Sequence, residues 1–200
     1  MKEIQVEQLG HSNKSEMLDV FTQAFAKPPL IPAIGTRIWN IKRMMNAFLD
    51  FFGGTKKSRW YGIRENRRLV CASLSVDSSE EPSGLALFRF IFALSRAIGW
   101  RAVKELGVIY KEKPKYEGRY LELILLGTLP ASQQQGFGRK MLRFLLETAK
   151  KQGFRGVILV ADRATPAFRL YLKEGFKVDK EFAVGETALC WMRYRYEEER

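Results

Sequence analysis

YLELILLGTLPASQQQGFG, residues 120–138, decides how this chain is read. Its first half is an apolar run broken by Glu122, the pattern of a buried strand, and its second half is a loop that ends in Gly136 and Gly138. Directly behind it, residues 139–152 (RKMLRFLLETAKKQ) place Met141, Leu142, Leu145, Leu146 and Ala149 three and four apart, which predicts an amphipathic helix. The unit is strand, turn, helix.

The first amides of a helix have no internal partner and lie at the positive end of its dipole, so an anion fits there. Gly136 and Gly138 remove side chains that would hold a phosphate off the backbone, and Gln133, Gln134 and Gln135 add neutral donors. The predicted ligand is a pyrophosphate. A dinucleotide-binding GxGxxG reading fails, because Phe137-Gly138-Arg139-Lys140 gives no third glycine in register and no ribose-binding acid follows in a second βα unit. A Walker loop fails for want of a Gly-Lys-Ser/Thr ending.

Gln133, Gly136 and Gly138 fit a Gln/Arg-x-x-Gly-x-Gly/Ala loop, and Leu170-Tyr171 with Gly175-Phe176, in ATPAFRLYLKEGFKV (164–178), fit an LYxxxGF block downstream. In both, the chain resembles the GNAT superfamily of acyl-CoA-dependent N-acetyltransferases. The match covers residues 120–176 well and the remainder in element order. The terminal strand, ALCWMRY, is similar to the antibiotic-acetylating and fungal-like branch.

Length and composition agree with one domain over residues 1–200, with chain enough to bury a core. Cys71 and Cys190 have neither metal nor redox spacing and sit in apolar runs, so buried free thiols are expected. The amino terminus is too polar for a signal peptide, and the most apolar run, LALFRFIFAL (85–94), contains Arg89 and is too short to span a membrane. These features predict a cytoplasmic protein without a membrane partner. The net charge of +12 is spread among interleaved acids, so no specific nucleic-acid partner is expected, and a cofactor with several phosphates accounts for part of the excess.

The predicted elements begin with a strand at 3–8 and a helix at 16–26, capped by Ser12 or Ser15 and stopped at Lys27-Pro28-Pro29. A second helix, capped by Thr36, runs to Gly53-Gly54. Strands at 59–65 and 68–76 flank an Asn66-Arg67 turn, and two helices, 85–98 and 100–110, are separated by Gly99. After the central unit come a strand at 157–161, a short helix with Thr165 as cap and Pro166 in its first position, and strands at 176–182 and 187–194. His11, the only histidine, reads as a solvated loop residue.

The resemblance implies an α/β GNAT fold: a mixed, mostly antiparallel sheet, splayed between its fourth and fifth strands, helices on both faces, and an extra helical pair between the third and fourth strands. That pair suits a lid, a homodimer face or core packing. The implied activity is direct transfer of an acetyl group from acetyl-CoA to a primary amine in a ternary complex, without a metal. A small amphipathic amine is the preferred acceptor. A protein or peptide acceptor, or a non-catalytic CoA-binding or basic nucleic-acid-associated module, is the alternative.

On the same resemblance, the backbone at Leu125, Leu126, Gly127 and Thr128 holds pantetheine, and residues 133–138, including Phe137, hold the pyrophosphate. Gln135 stands where many members have a basic residue, so Arg139 or Lys140 supplies the charge. Thr165 stands where many members have an asparagine at the start of the last helix; it is expected among the cofactor-binding residues and as the cap of that helix. Tyr171 matches the tyrosine that protonates the leaving thiolate, and Trp39 and Met45 are placed to touch the acceptor. Strand alternation puts Glu122, Ile124 and Leu126 on one face and Leu121, Leu123 and Leu125 on the other. A carboxylate on an apolar face needs a partner or a task. Burial would raise its pKa toward that of a general base, the role Glu122 has by its position, with pairing to a residue such as Arg119 as the alternative.

Overall fold

The computed structural model describes residues 5–26, 38–55, 57–79 and 83–197. Seven strands form one sheet in the order β1-β2-β3-β4-β5-β7-β6. They are β1 Val6–Gln8, β2 Arg59–Glu65, β3 Arg68–Asp77, β4 Leu121–Thr128, β5 Gly156–Asp162, β6 Lys177–Val184 and β7 Thr187–Arg195. Every pairing is antiparallel except β4 with β5. The helices are α1 Lys14–Ala24, α2 Ile38–Gly53, α3 Gly84–Lys111, α4 Phe137–Lys151 and α5 Pro166–Lys173. The Lys27-Pro28-Pro29 stop and the Thr36 cap lie outside the described residues. Among the described residues no helix is long and apolar enough to cross a membrane.

Local chemistry accounts for most boundaries. Asn66 and Arg67 both take positive φ, so the β2–β3 turn has the left-handed geometry that matches strand twist. The Ser83 hydroxyl accepts from the Ala86 amide and starts α3. Gly99, with φ 83 and ψ 161, breaks α3 into two helical segments at the predicted point. The predicted cap of α1 is corrected: Asn13 occupies the cap position without a side-chain cap bond.

The two sheet faces are covered by different helices. A side chain at Gly127 would meet Phe21 and Ala24 of α1, so Gly127 and its β3 partner Ala72 face α1 and α2. Gly138 of α4 lies against Thr128, and Tyr61 meets Phe144 of α4 at 4.9 Å, so Thr128, Cys71 and Tyr61 face α4. Met17, Phe21, Ile41, Met45 and Leu49 fill the first layer; Met141, Leu142 and Leu145 fill the second.

A bulge in β4 corrects the predicted alternation. Leu125 pairs with Leu74 and Leu123 with Ser75, so Ile124 is an extra residue with no opposite number. Because Leu74 and Ser75 face opposite ways, Leu123 and Leu125 do too. Glu122, Leu125 and Gly127 therefore share the α1/α2 face, while Leu121, Leu123, Leu126 and Thr128 face α4. Uniform alternation fails because the strand gains one residue relative to its neighbour.

Candidate active site

Strand β4 is joined to β5 only through Leu121, Glu122 and Leu123, opposite Val157, Ile158 and Leu159. Beyond them β4 continues on β3 as far as Thr128, opposite Cys71, while β5 continues on β7. The two parallel strands thus part at the bulge, and the β5-facing backbone edge of residues 124–128 is left without ladder partners. Such an edge offers amides and carbonyls to an extended ligand. Leu125, Leu126, Gly127 and Thr128 all lie on it.

Below this opening the chain turns through Leu129 and a short helix, Pro130–Ser132, into the glycine loop. Gln134 and Gly136 have φ of 63 and 86, a left-handed pair that brings the backbone round to the start of α4. The Gln133 amide group donates to the Thr128 carbonyl at 3.2 Å, and that of Gln135 to the Ala131 carbonyl at 3.3 Å, so these side chains brace the loop. Gly136 is the N-cap and supplies no side-chain acceptor, and the first helical bond is from the Lys140 amide to its carbonyl. The amides of Phe137, Gly138 and Arg139 are left at the open end. No acidic side chain lies in that first turn, while Arg139 and Lys140 put two cations where the helix dipole disfavours them. A bound anion would relieve this.

The two cations are not equivalent. Arg139 reaches Glu174, which also binds Arg143, at 3.1 and 2.7 Å respectively. Lys140 has no carboxylate partner among the described residues, and is the better placed of the two to meet a phosphate. Phe137 is buried under the loop. Thr165 caps α5: its hydroxyl donates to the Asp162 carbonyl at 2.7 Å and accepts from the Phe168 amide.

On the α1/α2 face, Glu122 is buried at 6% exposure and forms an ion pair with Lys113, not with Arg119. Arg119 instead holds Asp77 at 2.7 Å. Burial works against the Asp77 charge, but hydrogen bonds from Ser79 and Arg119 outweigh it and bring the carboxyl down to about 2. The Lys113 ammonium also lies 5.5 Å from the centre of the Trp191 ring, whose N–H donates to the Ile109 carbonyl at 3.0 Å. Lys113 stands just beyond the carboxyl end of α3, where the helix dipole favours a cation.

Glu122 and Lys113 form the polar floor of a cavity of about 440 Å³ between α2, α3 and the sheet. Its walls include Phe48, Phe51, Phe52, Phe90, Leu106 and Tyr110. Phe51 stacks on Phe90 at 4.2 Å, and Phe48 and Phe52 meet the same ring at 5.6 and 5.8 Å, so this cluster ties α2 to α3. A second hollow of about 50 Å³ is lined by Glu122, Tyr110, Ile124, Val160 and Trp191, and so sits at the parting of β4 and β5. Glu122 borders both. Of the two expected acceptor contacts, Met45 is buried in the core at 1% exposure and Trp39 is 60% exposed beneath Arg43, and neither lines this cavity. Helix α2 contributes Phe48, Phe51 and Phe52 instead.

Tyr171 is buried on the opposite side of the sheet, against Phe176 at 5.6 Å. Burial, and then the neighbouring Cys71, push its hydroxyl above its ordinary value. Cys71, itself raised to about 11 by burial, accepts from the Thr128 hydroxyl at 3.3 Å. This places Tyr171 beside the end of β4, next to the open edge. The sequence contained no local sign of Lys113 or of the cavity; the aromatic load of α2 and α3 was the only trace.

The acetyltransferase (GNAT) family model matches residues 41–176, which include the parted strands, the glycine loop and Tyr171. The chain belongs to the GNAT family. Solved structures agree in fold. A histone acetyltransferase HPA2 and related acetyltransferase from Corynebacterium glutamicum has a TM-score of 0.68 at 16% identity, with 98% of this chain and 99% of that one covered. The PaiA N-acetyltransferase of Thermoplasma acidophilum, in complex with coenzyme A, gives 0.59 at 14%, covering 97% and 99%. A GNAT acetyltransferase of Brucella melitensis, in complex with acetyl-CoA, gives 0.59 at 14%, covering 100% and 92%. No curated protein matches the chain. Membership of the GNAT family makes this chain an acyl-CoA-dependent acetyltransferase, and the open edge of β4 with the uncapped start of α4 fits a pantetheine-pyrophosphate cosubstrate.

Proposed function

We propose that this GNAT protein moves an acetyl group from acetyl-CoA to the primary amine of a small, largely apolar molecule. The observation that carries the reading is Glu122: it is the one carboxylate that borders both the aromatic cavity and the hollow at the strand parting. An amine in the cavity would meet the thioester there. The cavity volume is in the range of small-molecule pockets, roughly 300–1,000 Å³, and its walls are mostly aromatic and aliphatic side chains of α2, α3 and the sheet, which favours a small acceptor over a peptide.

In this reading the β4 edge and the amides at the start of α4 hold the cosubstrate, with Lys140 meeting its phosphates. PaiA in its complex with coenzyme A and the Brucella enzyme with acetyl-CoA are consistent with that cosubstrate. The acceptor nitrogen adds to the thioester carbonyl carbon, its surplus proton passes to Glu122 directly or through water, and the C–S bond breaks as the new C–N bond is kept. The departing thiolate takes a proton from Tyr171, which burial keeps protonated.

A thiol-release assay with acetyl-CoA and a panel of hydrophobic primary amines, apolar amino acids among them, tests the proposal. Amine-dependent release from the native protein, lost in Glu122→Gln, is expected. Release that no amine stimulates, in a protein that binds acetyl-CoA, would overturn it.

A further inference from the structure

The floor of the cavity carries more information than a single base would. Its walls are almost wholly apolar, and the charged groups that line it are Asp77, Lys113 and Glu122. Asp77 is already satisfied by Arg119 and Ser79. That leaves one cation and one anion, Lys113 and Glu122, meeting each other at the base of a pocket walled by phenylalanines.

A simple alkylammonium that bonded Glu122, whose side chain is 8% exposed, would leave the Lys113 charge, 25% exposed, without its partner and next to the incoming cation. That arrangement is costly on both counts. A ligand that bears a carboxylate beside its amine avoids it: the amine takes Glu122, the carboxylate takes Lys113, and both protein charges stay paired. The order of the two groups also fits. Glu122 borders the hollow at the strand parting, where the thioester is held in the proposed reaction, whereas Lys113 lines only the large cavity. The amine is thereby turned toward the acyl donor and the carboxylate away from it. Lys113 is steadied by the Trp191 ring, 5.5 Å from its ammonium, and by its position at the end of α3. The remaining space is bounded by Phe48, Phe51, Phe52 and Phe90, which suits a large aromatic or aliphatic side chain.

We propose that the acceptor is an α-amino acid, or a close analogue with adjacent amine and carboxylate, carrying a bulky apolar side chain, and that Lys113 is the residue that selects it by pairing with its carboxylate. This rests on the amine acetylation proposed above and narrows it. Polyamines and simple aralkylamines are disfavoured by the same charge balance.

Matched pairs of acceptors test this in the thiol-release assay with the full chain: phenylalanine against 2-phenylethylamine, tryptophan against tryptamine, leucine against 3-methylbutylamine, with spermidine added. A charge-assisted pair to the carboxylate predicts kcat/KM at least about tenfold higher for each amino acid than for its decarboxylated partner. In Lys113→Met this advantage disappears, chiefly through KM of the amino acid, and Lys113→Arg restores it. Comparison within each pair cancels any general damage to the site. A native enzyme that prefers the decarboxylated amines, or a Lys113→Met variant that loses both members of a pair equally, overturns the role of Lys113 and leaves amine acetylation standing. If neither amino acids nor amines are acetylated, both proposals fall together.

Discussion

Glu122 of β4 and Tyr171 of α5 lie on opposite sides of the sheet, Glu122 at the aromatic cavity and Tyr171 packed near Cys71 beside the end of β4. They can serve one reaction only because β4 and β5 part between them. In the proposed reaction this gap would let an acyl group be approached by an amine from one side and by an acid from the other.

Replacing Tyr171 by phenylalanine removes a hydroxyl and little else from a well-packed site. Turnover should fall by about a hundredfold, the scale of a lost general acid, with acetyl-CoA affinity nearly unchanged. Steady-state kinetics beside a calorimetric titration separate the two effects. Unchanged turnover would remove the acid role.

Glu122→Gln keeps the shape of the side chain and discards its ability to take a proton. The rate should drop by roughly 10²–10⁴-fold, while binding of acetyl-CoA persists, because Glu122 lies on the cavity side of the bulge and away from the glycine loop. A parallel loss of cosubstrate binding would show that the residue is structural.

Glu16 provides a pH-dependent contribution to stability. Its hydrogen bonds from Arg64, at 2.7 Å, bring the carboxyl down from 4.5 to about 2, against the opposing effect of burial. A depressed folded-state pKa gives stability that is complete above the unfolded value and is lost as pH falls from about 4.5 toward 2. Arg64 also binds Glu7 at 2.6 Å, so it ties β1 and α1 to β2. Arg64→Gln should therefore lower the melting temperature at pH 7 and make little difference near pH 2. The gap should be small, since exposed ion pairs contribute about 1 kcal/mol or less. An equal gap at both pH values would refute the linkage.

Gly156 starts β5 with its Cα against the Tyr194 backbone, where an added Cβ has no room beside the carbonyl. The obstacle is backbone, so it cannot rotate away. Gly156→Ala should cost about 3 kcal/mol, the upper range for overpacking, measured as a lower midpoint in urea. Gly10→Ala meets open space and serves as the control.

What was legible in the sequence was what is local. The glycine loop, the periodicity of α4, the Thr165-Pro166 start of α5 and the Gly99 break each depend on a few neighbouring residues, and the structure has them where the sequence placed them. The β4 bulge was not legible, because a run of Leu and Ile looks the same with or without an extra residue; only pairing with Leu74 and Ser75 reveals it. The surroundings of Trp39 and Met45 were not legible for a related reason. Helix α2 is apolar over so wide an arc that periodicity alone does not say which stripe faces the sheet, which faces α3 and which faces outward. The pairing of Lys113 with Glu122 depends on α3 ending above β4, a fact of tertiary packing.

The most direct measurement is a calorimetric titration of acetyl-CoA into the native protein and into Gly136→Glu, with melting curves for both. Gly136 has φ 86 and open space at its Cβ, so a glutamate there strains the loop by about 1–2 kcal/mol and places a negative charge at the start of α4 without a steric clash. Saturable binding by the native protein, abolished in a variant that still melts cooperatively, is the expected result. Equal binding by both proteins, or none by a folded native protein free of bound CoA, would contradict the placement of the cosubstrate at the α4 terminus.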